Sequence, residues 1–238
     1  MIIIKKRSLV KITTVLSICI VALLIQTASV TPKTMSTVAL PVTNKVIVID
    51  AGHGVPDEGA ESSNGTCEAE TNLKIALKLQ TLLEQSGAVV ILTRSDENAI
   101  YDIDSKTLKQ KKISDLKNRV KIGNESSADI FISIHLNKIP EQQYSGWQTF
   151  YKSSDEKSIK LAKLIQNNLN KSVQIQNDRL PMKLDSIYIV KNVEIPITVV
   201  ECGFLSNPEE EKNLLNDEYQ NKLAWGIYSG IMDYFVQN

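Results

Sequence analysis

The stretch KVIVIDAGHG at residues 45–54 passes from a run of β-branched residues directly into a glycine-rich turn. Apolar residues at successive positions are typical of a strand that is buried on both faces of a sheet. The stretches DIFISIH at residues 129–135 and IPITVVE at residues 195–201 have the same form. Such strands occur in parallel sheets that helices cover on both sides, so the pattern indicates an α/β fold.

The segments between and after these strands have apolar residues at helical spacing. Asn207-Pro208-Glu209 predicts a helix start, with an N-cap, a proline at the first helical position and an acid in the first turn. We therefore predict a single-domain three-layer sandwich, with a mostly parallel twisted sheet of about six strands and helices on both faces. The further predicted strands are residues 88–93 and 146–151, and the predicted helices are residues 71–85, 114–124, 157–169 and 218–235.

The composition limits the classes of function. The chain has 238 residues, of which 42% are hydrophobic, so it can bury one substantial core. It has 27 basic and 27 acidic residues, and this balance gives no basic field that would attract nucleic acid. Apart from Cys19, its cysteines are Cys67 and Cys202, too few for a disulfide scaffold. We expect one catalytic domain over residues 44–238, with no nucleic-acid partner.

The first 30 residues differ from the rest of the chain. An apolar run from Val15 to Ile25 follows a cationic segment, as in an export signal. The run is shorter than the roughly 20 residues of a membrane-spanning helix. We predict that residues 1–30 direct export across the cytoplasmic membrane, with an uncleaved membrane tether through residues 12–26 as the alternative. Residues 31–43, rich in Thr and Pro, are predicted to be a linker.

Polar residues end the three apolar strands. His53 follows the first strand, His135 ends the second and Glu201 ends the third. Ligands of open α/β sheets bind beyond the carboxyl ends of the strands, so these side chains are expected to share one crevice. A single histidine at a strand end is usually structural, but here both histidines of the chain occupy such positions. Imidazole is a preferred zinc ligand, and a catalytic zinc has three protein ligands.

The third ligand is expected just before the first helix, where Glu68, Glu70 and Cys67 lie close together. Spacing alone does not choose among them, and acids at a helix start also stabilise the helix dipole. Glu201 is different, because a glutamate at the end of an apolar strand is costly to bury unless it is paired or bound. A carboxylate beside a metal-bound water can take a proton from the water and give it to a leaving group, and Glu201 is the candidate for this role.

Several motifs together resemble the zinc-dependent N-acetylmuramoyl-L-alanine amidases of the amidase-3 type, over residues 45–236. The similar segments, in chain order, are VIDAGHG at 48–54, Glu68 four residues before Asn72-Leu73, LTR at 92–94, ADIFISIHLN at 128–137 and VECGFLSN at 200–207.

The resemblance implies one zinc ion held by His53, Glu68 and His135, with Glu201 as the catalytic glutamate. It also favours Glu68 over Glu70. The implied substrate is peptidoglycan, its glycan strands and stem peptides, cut between N-acetylmuramic acid and L-alanine. Two alternatives use the same fold: a zinc peptidase or carboxypeptidase that acts on wall peptides, and a non-catalytic wall-binding protein.

The branch that the chain resembles most is the spore-cortex type, whose members strip stem peptides so that muramic-δ-lactam can form. The compact single domain and the SGWQTF segment at residues 145–150 are similar to that branch. This implies a location in the cell wall or the forespore intermembrane space. The chain contains no recognisable wall-binding repeat, so an accessory activating protein is a further expected partner. Ala51 and Val55 depart from the family pattern, but neither would supply a ligand side chain.

Three more residues are candidates for substrate binding. Arg94 and Arg119 match family positions, and the alternative for each arginine is a structural ion pair. Asn137 follows the second histidine closely and either contacts substrate or stabilises a turn. Cys202 follows Glu201 in the strand, so it should point to the opposite face and act as a small buried apolar residue.

Overall fold

The computed structural model describes residues 11, 13–22 and 39–237. Residues 13–22 are helical, and no helix within the described ranges is long and apolar enough to cross a membrane. Residues 1–10, 12, 23–38 and 238 lie outside the described part of the chain. The predicted export signal and most of the predicted linker therefore stay predictions. Leu40–Asn238 form one compact unit, and Val42 is fully buried in its core. The predicted start of the domain at residue 44 stays a prediction.

The strands and helices follow the predicted order. Two short elements, the strand Met182–Lys183 and the helix Tyr188–Asn192, were not predicted from the sequence. The strands are β1 (Val46–Ala51), β2 (Val89–Leu92), β3 (Ile130–Asn137), β4 (Gln148–Tyr151), β5 (Met182–Lys183) and β6 (Ile197–Phe204). The helices are α1 (Glu68–Gln85), α2 (Leu108–Glu125), α3 (Glu156–Val173), α4 (Tyr188–Asn192), α5 (Pro208–Leu214) and α6 (Asp217–Val236).

The six strands form one sheet in the order β2-β1-β3-β6-β4-β5. The pairs β1–β2, β1–β3 and β3–β6 are parallel, whereas β4 runs antiparallel to β6. The three strands whose mainly apolar runs end in polar residues, β1, β3 and β6, are thus adjacent at the centre of the sheet. This arrangement confirms the predicted mostly parallel sheet and brings the three polar strand ends together.

The sheet separates two apolar cores. Ile47 and Ile49 of β1 pack with α1, α3 and α6 on one face, and Val48 packs with residues of α2 and α4 on the other. Side chains alternate between the faces of a strand, so an unbroken apolar run supplies both cores. The predicted three-layer sandwich is confirmed.

Capping side chains fix the starts of α2, α3, α5 and α6. Asn207 caps α5 ahead of Pro208, as predicted, and its side chain accepts hydrogen bonds from two backbone N–H groups. Helix α2 begins well before the predicted residue 114, because Thr107 and Gln110 form a capping box. The first two turns of α2 carry several lysines and little apolar periodicity, which explains why the prediction began too late.

Candidate active site

The polar strand ends converge at one edge of the sheet. His135 of β3 and Glu201 of β6 are directly paired in the parallel register, and neighbouring strands lie about 4.8 Å apart. Their side chains therefore leave the same face of the sheet side by side. His53 lies two residues beyond β1, and its ring meets the His135 ring edge to face with centroids 5.1 Å apart. The three strand ends thus bring His53, His135 and Glu201 close together.

His53, Glu68 and His135 form a group that could hold a metal ion. Each offers one ligand atom, and these atoms lie within 4.8 Å of one another. Oε1 of Glu68 is 3.4 Å from Nε2 of His53 and 2.9 Å from Nδ1 of His135. Glu70 instead pairs with Lys74 on the exposed side of α1. Of the glutamates that open α1, the structure brings Glu68 to the two histidines.

Glu68 is buried and held by several donors. Its Oε1 accepts hydrogen bonds from the backbone N–H of Leu136, at 3.1 Å, and from Nδ2 of Asn72, at 3.3 Å. Its Oε2 accepts one from the backbone N–H of Ala60, at 2.9 Å. Burial alone would raise the pKa of Glu68, but the two neighbouring histidines outweigh it and hold the pKa well below its ordinary range. The carboxylate is therefore kept ionised, which is the form that binds a metal.

The backbone around His53 is unusual. His53 has a φ of 63°, in the left-handed region that residues other than glycine rarely adopt. A Cβ added at Gly52 would overlap the His135 ring, and one added at Gly59 would lie 2.6 Å from Oε2 of Glu68. Glycine at these two positions lets the loop close onto the candidate ligands. A strained residue packed in this way is typical of a functional site.

Asp57 is the second carboxylate beside His53. Its Oδ2 lies 3.3 Å from Nδ1 of His53 and 3.1 Å from Nζ of Lys112. Burial lowers the pKa of His53, but Asp57 and Glu68 outweigh it and raise the pKa to about 9. Asp57 thus orients the ring of a candidate metal ligand, a role that the sequence did not indicate.

A buried ion pair lies below the site. Oδ1 of Asp50 accepts hydrogen bonds from Nη1 of Arg119, at 2.6 Å, and from Oγ1 of Thr93, at 2.8 Å. Its Oδ2 accepts one from Oγ of Ser133, at 2.6 Å. Burial raises the pKa of Asp50, but the Arg119 guanidinium and these hydroxyls outweigh it and lower the pKa. Asp50 is ionised, and its carboxylate is saturated with donors.

Both candidate arginines face the protein interior. Arg119 is 1% exposed and also donates to Asp115 and to the backbone carbonyl of His53. Arg94 is 4% exposed, and its guanidinium donates to four backbone carbonyls, including those of Gly52 and Ala69. These donors are used within the protein. The geometry favours the structural ion pair over substrate contact for Arg119, whereas the hydrogen-bond partners of Arg94 are backbone carbonyls instead of an acid. Arg119 also helps to hold His53 in its left-handed conformation.

Glu201 differs from the saturated carboxylates. It is partly buried, and its Oε2 atom is fully buried with no hydrogen-bond partner among the described residues. Burial raises the pKa of Glu201 to about 7, and Glu68 adds to the rise against the opposing effect of the histidines. A carboxyl group with this pKa can both accept and donate a proton near neutral pH. Cys202 is fully buried in the core on the opposite face, as predicted.

Two consecutive glutamates of α5 support the rim of the site. Glu210 accepts hydrogen bonds from the backbone N–H groups of Gly146, at 2.6 Å, and Phe204, at 2.7 Å. Glu211 accepts hydrogen bonds from three side chains of the loop that precedes Glu68. These donors are Ser62 at 2.5 Å, Thr66 at 2.6 Å and Asn64 at 2.7 Å.

Sequence reasoning missed the roles of both α5 glutamates, because their partners lie far away in the chain. Asn137, the last candidate, is partly buried at the end of β3, where the β3–β6 register shifts. Its backbone carbonyl accepts a hydrogen bond from Leu205 at 2.8 Å. This contact does not decide what its side chain does, so substrate contact by Asn137 stays a prediction.

Comparisons by sequence and by structure both find amidases that are similar to this chain. The chain is 39% identical over 199 residues to a germination-specific N-acetylmuramoyl-L-alanine amidase of Bacillus subtilis, covering 84% of this chain and 83% of that protein. Among solved structures it is similar to the CwlD amidase of Clostridioides difficile in complex with the GerS lipoprotein. That match has 45% identity and a TM-score of 0.80, and it covers 82% of this chain and all of the other.

A second structure, the N-acetylmuramoyl-L-alanine amidase of Clostridium difficile 630, matches with 30% identity and a TM-score of 0.72, over 82% of this chain and 99% of that chain. The family model described as N-acetylmuramoyl-L-alanine amidase matches residues 47–233, which include all four residues of the candidate site. The chain belongs to the N-acetylmuramoyl-L-alanine amidase family.

Proposed function

We propose that this chain hydrolyses the amide bond between N-acetylmuramic acid and the L-alanine of peptidoglycan stem peptides, with one zinc ion held by His53, Glu68 and His135. The arrangement that carries this proposal is the ionised Glu68 between two imidazoles, directly beside Glu201. Two imidazoles and one carboxylate are a donor set of catalytic zinc. The buried, unpartnered Oε2 of Glu201 fits such a site, because it leaves one acceptor for a bound molecule.

The residues of the site have separate tasks. When bound, zinc polarises the scissile carbonyl and makes water more acidic. Glu201 takes a proton from the attacking water and gives it to the leaving nitrogen, for which a pKa of about 7 is suitable. Leu136 and Ala60 fix both oxygens of Glu68 through their backbone N–H groups, and Asp57 orients His53. The polar network thus holds the ligands in place before substrate arrives.

The names of two relatives support a proposal for the biological setting. One is named as germination-specific, and another was solved together with a lipoprotein. We propose that the chain acts outside the cytoplasm on spore-cortex peptidoglycan, where removal of stem peptides permits formation of muramic-δ-lactam. An accessory activating protein, of the lipoprotein kind that accompanies the clostridial relative, is part of this proposal.

Digestion of purified cortex peptidoglycan tests the activity. The chain is incubated with added zinc or with a chelator, and the soluble products are identified by mass spectrometry. We expect intact stem peptides that begin at L-alanine, released only when zinc is present. Peptides shortened at their carboxyl end would show a peptidase instead. Protein that binds no zinc and releases nothing, also with its accessory protein added, would support a non-catalytic role.

A further inference from the structure

The strand that carries Glu201 has an extra residue directly after it. In the β3–β6 ladder, His135 pairs with Glu201 but Asn137 pairs with Phe204, so two steps along β3 correspond to three along β6. An extra residue of this kind is a β-bulge, which disrupts the ladder locally and bends the strand. Bulges beside active sites re-aim side chains, so the position of Glu201 depends on the contacts that hold this bulge.

The bulge leaves a backbone donor on the β4 side of β6. Strand β4 begins at Gln148, which pairs with Glu201, so the ladder between β4 and β6 ends at this pair. Past the bulge, the backbone N–H of Leu205 donates to the carbonyl of Asn137 in β3, at 2.8 Å. Successive N–H groups of a strand point to opposite sides, so the N–H of Phe204 points away from β3, beyond the end of the β4 ladder.

The carboxylate of Glu210 fills this gap. Its Oε2 accepts a hydrogen bond from the N–H of Phe204, at 2.7 Å, and its Oε1 accepts one from the N–H of Gly146, at 2.6 Å. Gly146 lies two residues before Gln148, in the segment that enters β4. Hydrogen bonds from backbone N–H groups to an ionised carboxylate are about twice as strong as neutral ones. One side chain of α5 therefore joins the two strand ends that flank Glu201.

The surroundings of Glu210 leave room for a carboxylate. Its side chain is buried, and a Cβ added at Gly203, within the bulge, would lie 3.1 Å from Cδ of Glu210. The charged or titratable side chains that face it are Arg179, Tyr219 and Cys202. Burial raises the pKa of Glu210 to about 7, against the opposing effect of its two N–H donors and of Arg179. The carboxylate therefore gains or loses its charge close to neutral pH.

Helix stability alone does not explain the place of Glu210. An acid in the first turn of a helix stabilises the helix dipole, and Glu209 and Glu210 both lie in the first turn of α5. Glu209 has this position while exposed and paired with Lys212. Burial of a carboxylate costs free energy, so the buried position of Glu210 indicates a further role.

We propose that Glu210 is a positioning residue for Glu201: by joining Gly146 to Phe204 it holds the β6 bulge and keeps the Glu201 carboxyl group beside the metal group. This inference rests on the proposed function, in which Glu201 transfers the proton. Glu210 acts through the backbone of β6, and its hydrogen bonds go to main-chain donors instead of the site.

Kinetics of the Glu210→Gln variant test this role. Glutamine keeps the shape of the side chain but has one acceptor oxygen, so one of the two N–H groups loses its partner. Under conditions in which the unmodified chain cleaves a soluble N-acetylmuramoyl peptide, we expect kcat at pH 8 to fall by about 10- to 10²-fold, the effect of displacing a catalytic group by up to about 1 Å. KM and bound zinc should stay unchanged. The matched control is Glu209→Gln, which should keep kcat.

The pH dependence gives a second measurement. The ratio of kcat for the unmodified chain to kcat for Glu210→Gln largely cancels the titration of Glu201, which both proteins share. Above pH 7 Glu210 is ionised in the unmodified chain, whereas below it the protonated carboxyl group has one acceptor oxygen, like the amide. The ratio should therefore be largest at pH 8 and fall towards one at pH 6. Loss of stability alone would not change kcat per folded, zinc-loaded molecule in this way.

A second variant changes the same contact without changing a charge. The Cβ of Gly203→Ala should displace the Glu210 carboxylate, so we expect a lower kcat with zinc retained. If Glu210→Gln does not fold, Gly203→Ala carries the comparison.

The outcomes separate the two proposals. Lower thermal stability with unchanged kcat, or a kcat ratio that is constant between pH 6 and pH 8, would overturn the positioning role and leave the amidase proposal intact. Loss of zinc from Glu210→Gln would also overturn it, because the effect would then act on the ligands. An unmodified chain that releases no stem peptide would overturn the proposed function itself.

Discussion

Two groups of buried polar side chains lie near the carboxyl ends of the central strands, a lower group around Asp50 and an upper group at the candidate site. They differ in how many hydrogen-bond partners their carboxylates have. In the lower group, Asp50 accepts hydrogen bonds from Arg119, Thr93 and Ser133, and its charge is compensated. In the upper group, at the site itself, Oε2 of Glu201 is buried without a partner among the described residues. Buried polar groups that have hydrogen-bond partners stabilise a fold, whereas a buried polar atom without a partner can still form a hydrogen bond with a ligand. The lower group is a scaffold and the upper group is the reactive site.

Substitution of Glu201 should give the largest effect on activity. Glu201→Gln keeps the shape but cannot transfer the proton, so we expect amide hydrolysis to fall by about 10²- to 10⁴-fold while zinc stays bound. His135→Ala, which removes a candidate ligand, should lose both zinc and activity. The measurements are stem-peptide release and metal content, with the exposed Glu70→Gln as control. Unchanged activity of Glu201→Gln would contradict the mechanism.

Substitution in the lower group should act on stability. Arg119→Met leaves the buried carboxylates of Asp50 and Asp115 without their cation, so we expect a loss of about 3–5 kcal/mol in the free energy of unfolding. Urea denaturation measures this loss. Lys117→Met, at an exposed position of the same helix, should change the free energy by little. A small effect in both variants would show that the Asp50–Arg119 pair is not a scaffold.

The same pair predicts a dependence of stability on pH. Because the folded structure lowers the pKa of Asp50, the stabilisation by its carboxylate is fully present above its ordinary pKa and is lost as the pH falls through the lower folded value. Asp50→Asn should therefore destabilise the protein more at pH 7 than at pH 3. Denaturant unfolding of both proteins at the two pH values measures the difference. An equal loss of unfolding free energy at pH 7 and at pH 3 would mean that the charge of Asp50 does not contribute to stability.

The contrast between the two groups also shows what the sequence could reveal. The central strands and the positions of His53, His135 and Glu201 follow from local patterns, since apolar runs end in polar residues at these points. Glu68 needed the family resemblance, because an acid at a helix start has an ordinary explanation. A structural ion pair was the alternative role expected for Arg119, but its partner Asp50 was not predicted, because the partners of Asp50 come from other strands and from a helix. These contacts depend on the register of the sheet, which no single segment contains.

Of the substitutions considered, removal of the Glu211 carboxylate should have the smallest effect on the site. Glu211→Ala removes the acceptor shared by Ser62, Asn64 and Thr66 and so loosens the loop whose Ala60 N–H holds Glu68. We expect zinc affinity, measured by competition with a chelator, to fall by about tenfold, the low end for residues that orient a metal ligand indirectly. Glu209→Ala, an exposed neighbour that pairs with Lys212, is the control. Lower thermal stability with unchanged zinc affinity would make Glu211 an anchor of the loop alone, and would place it with the scaffold.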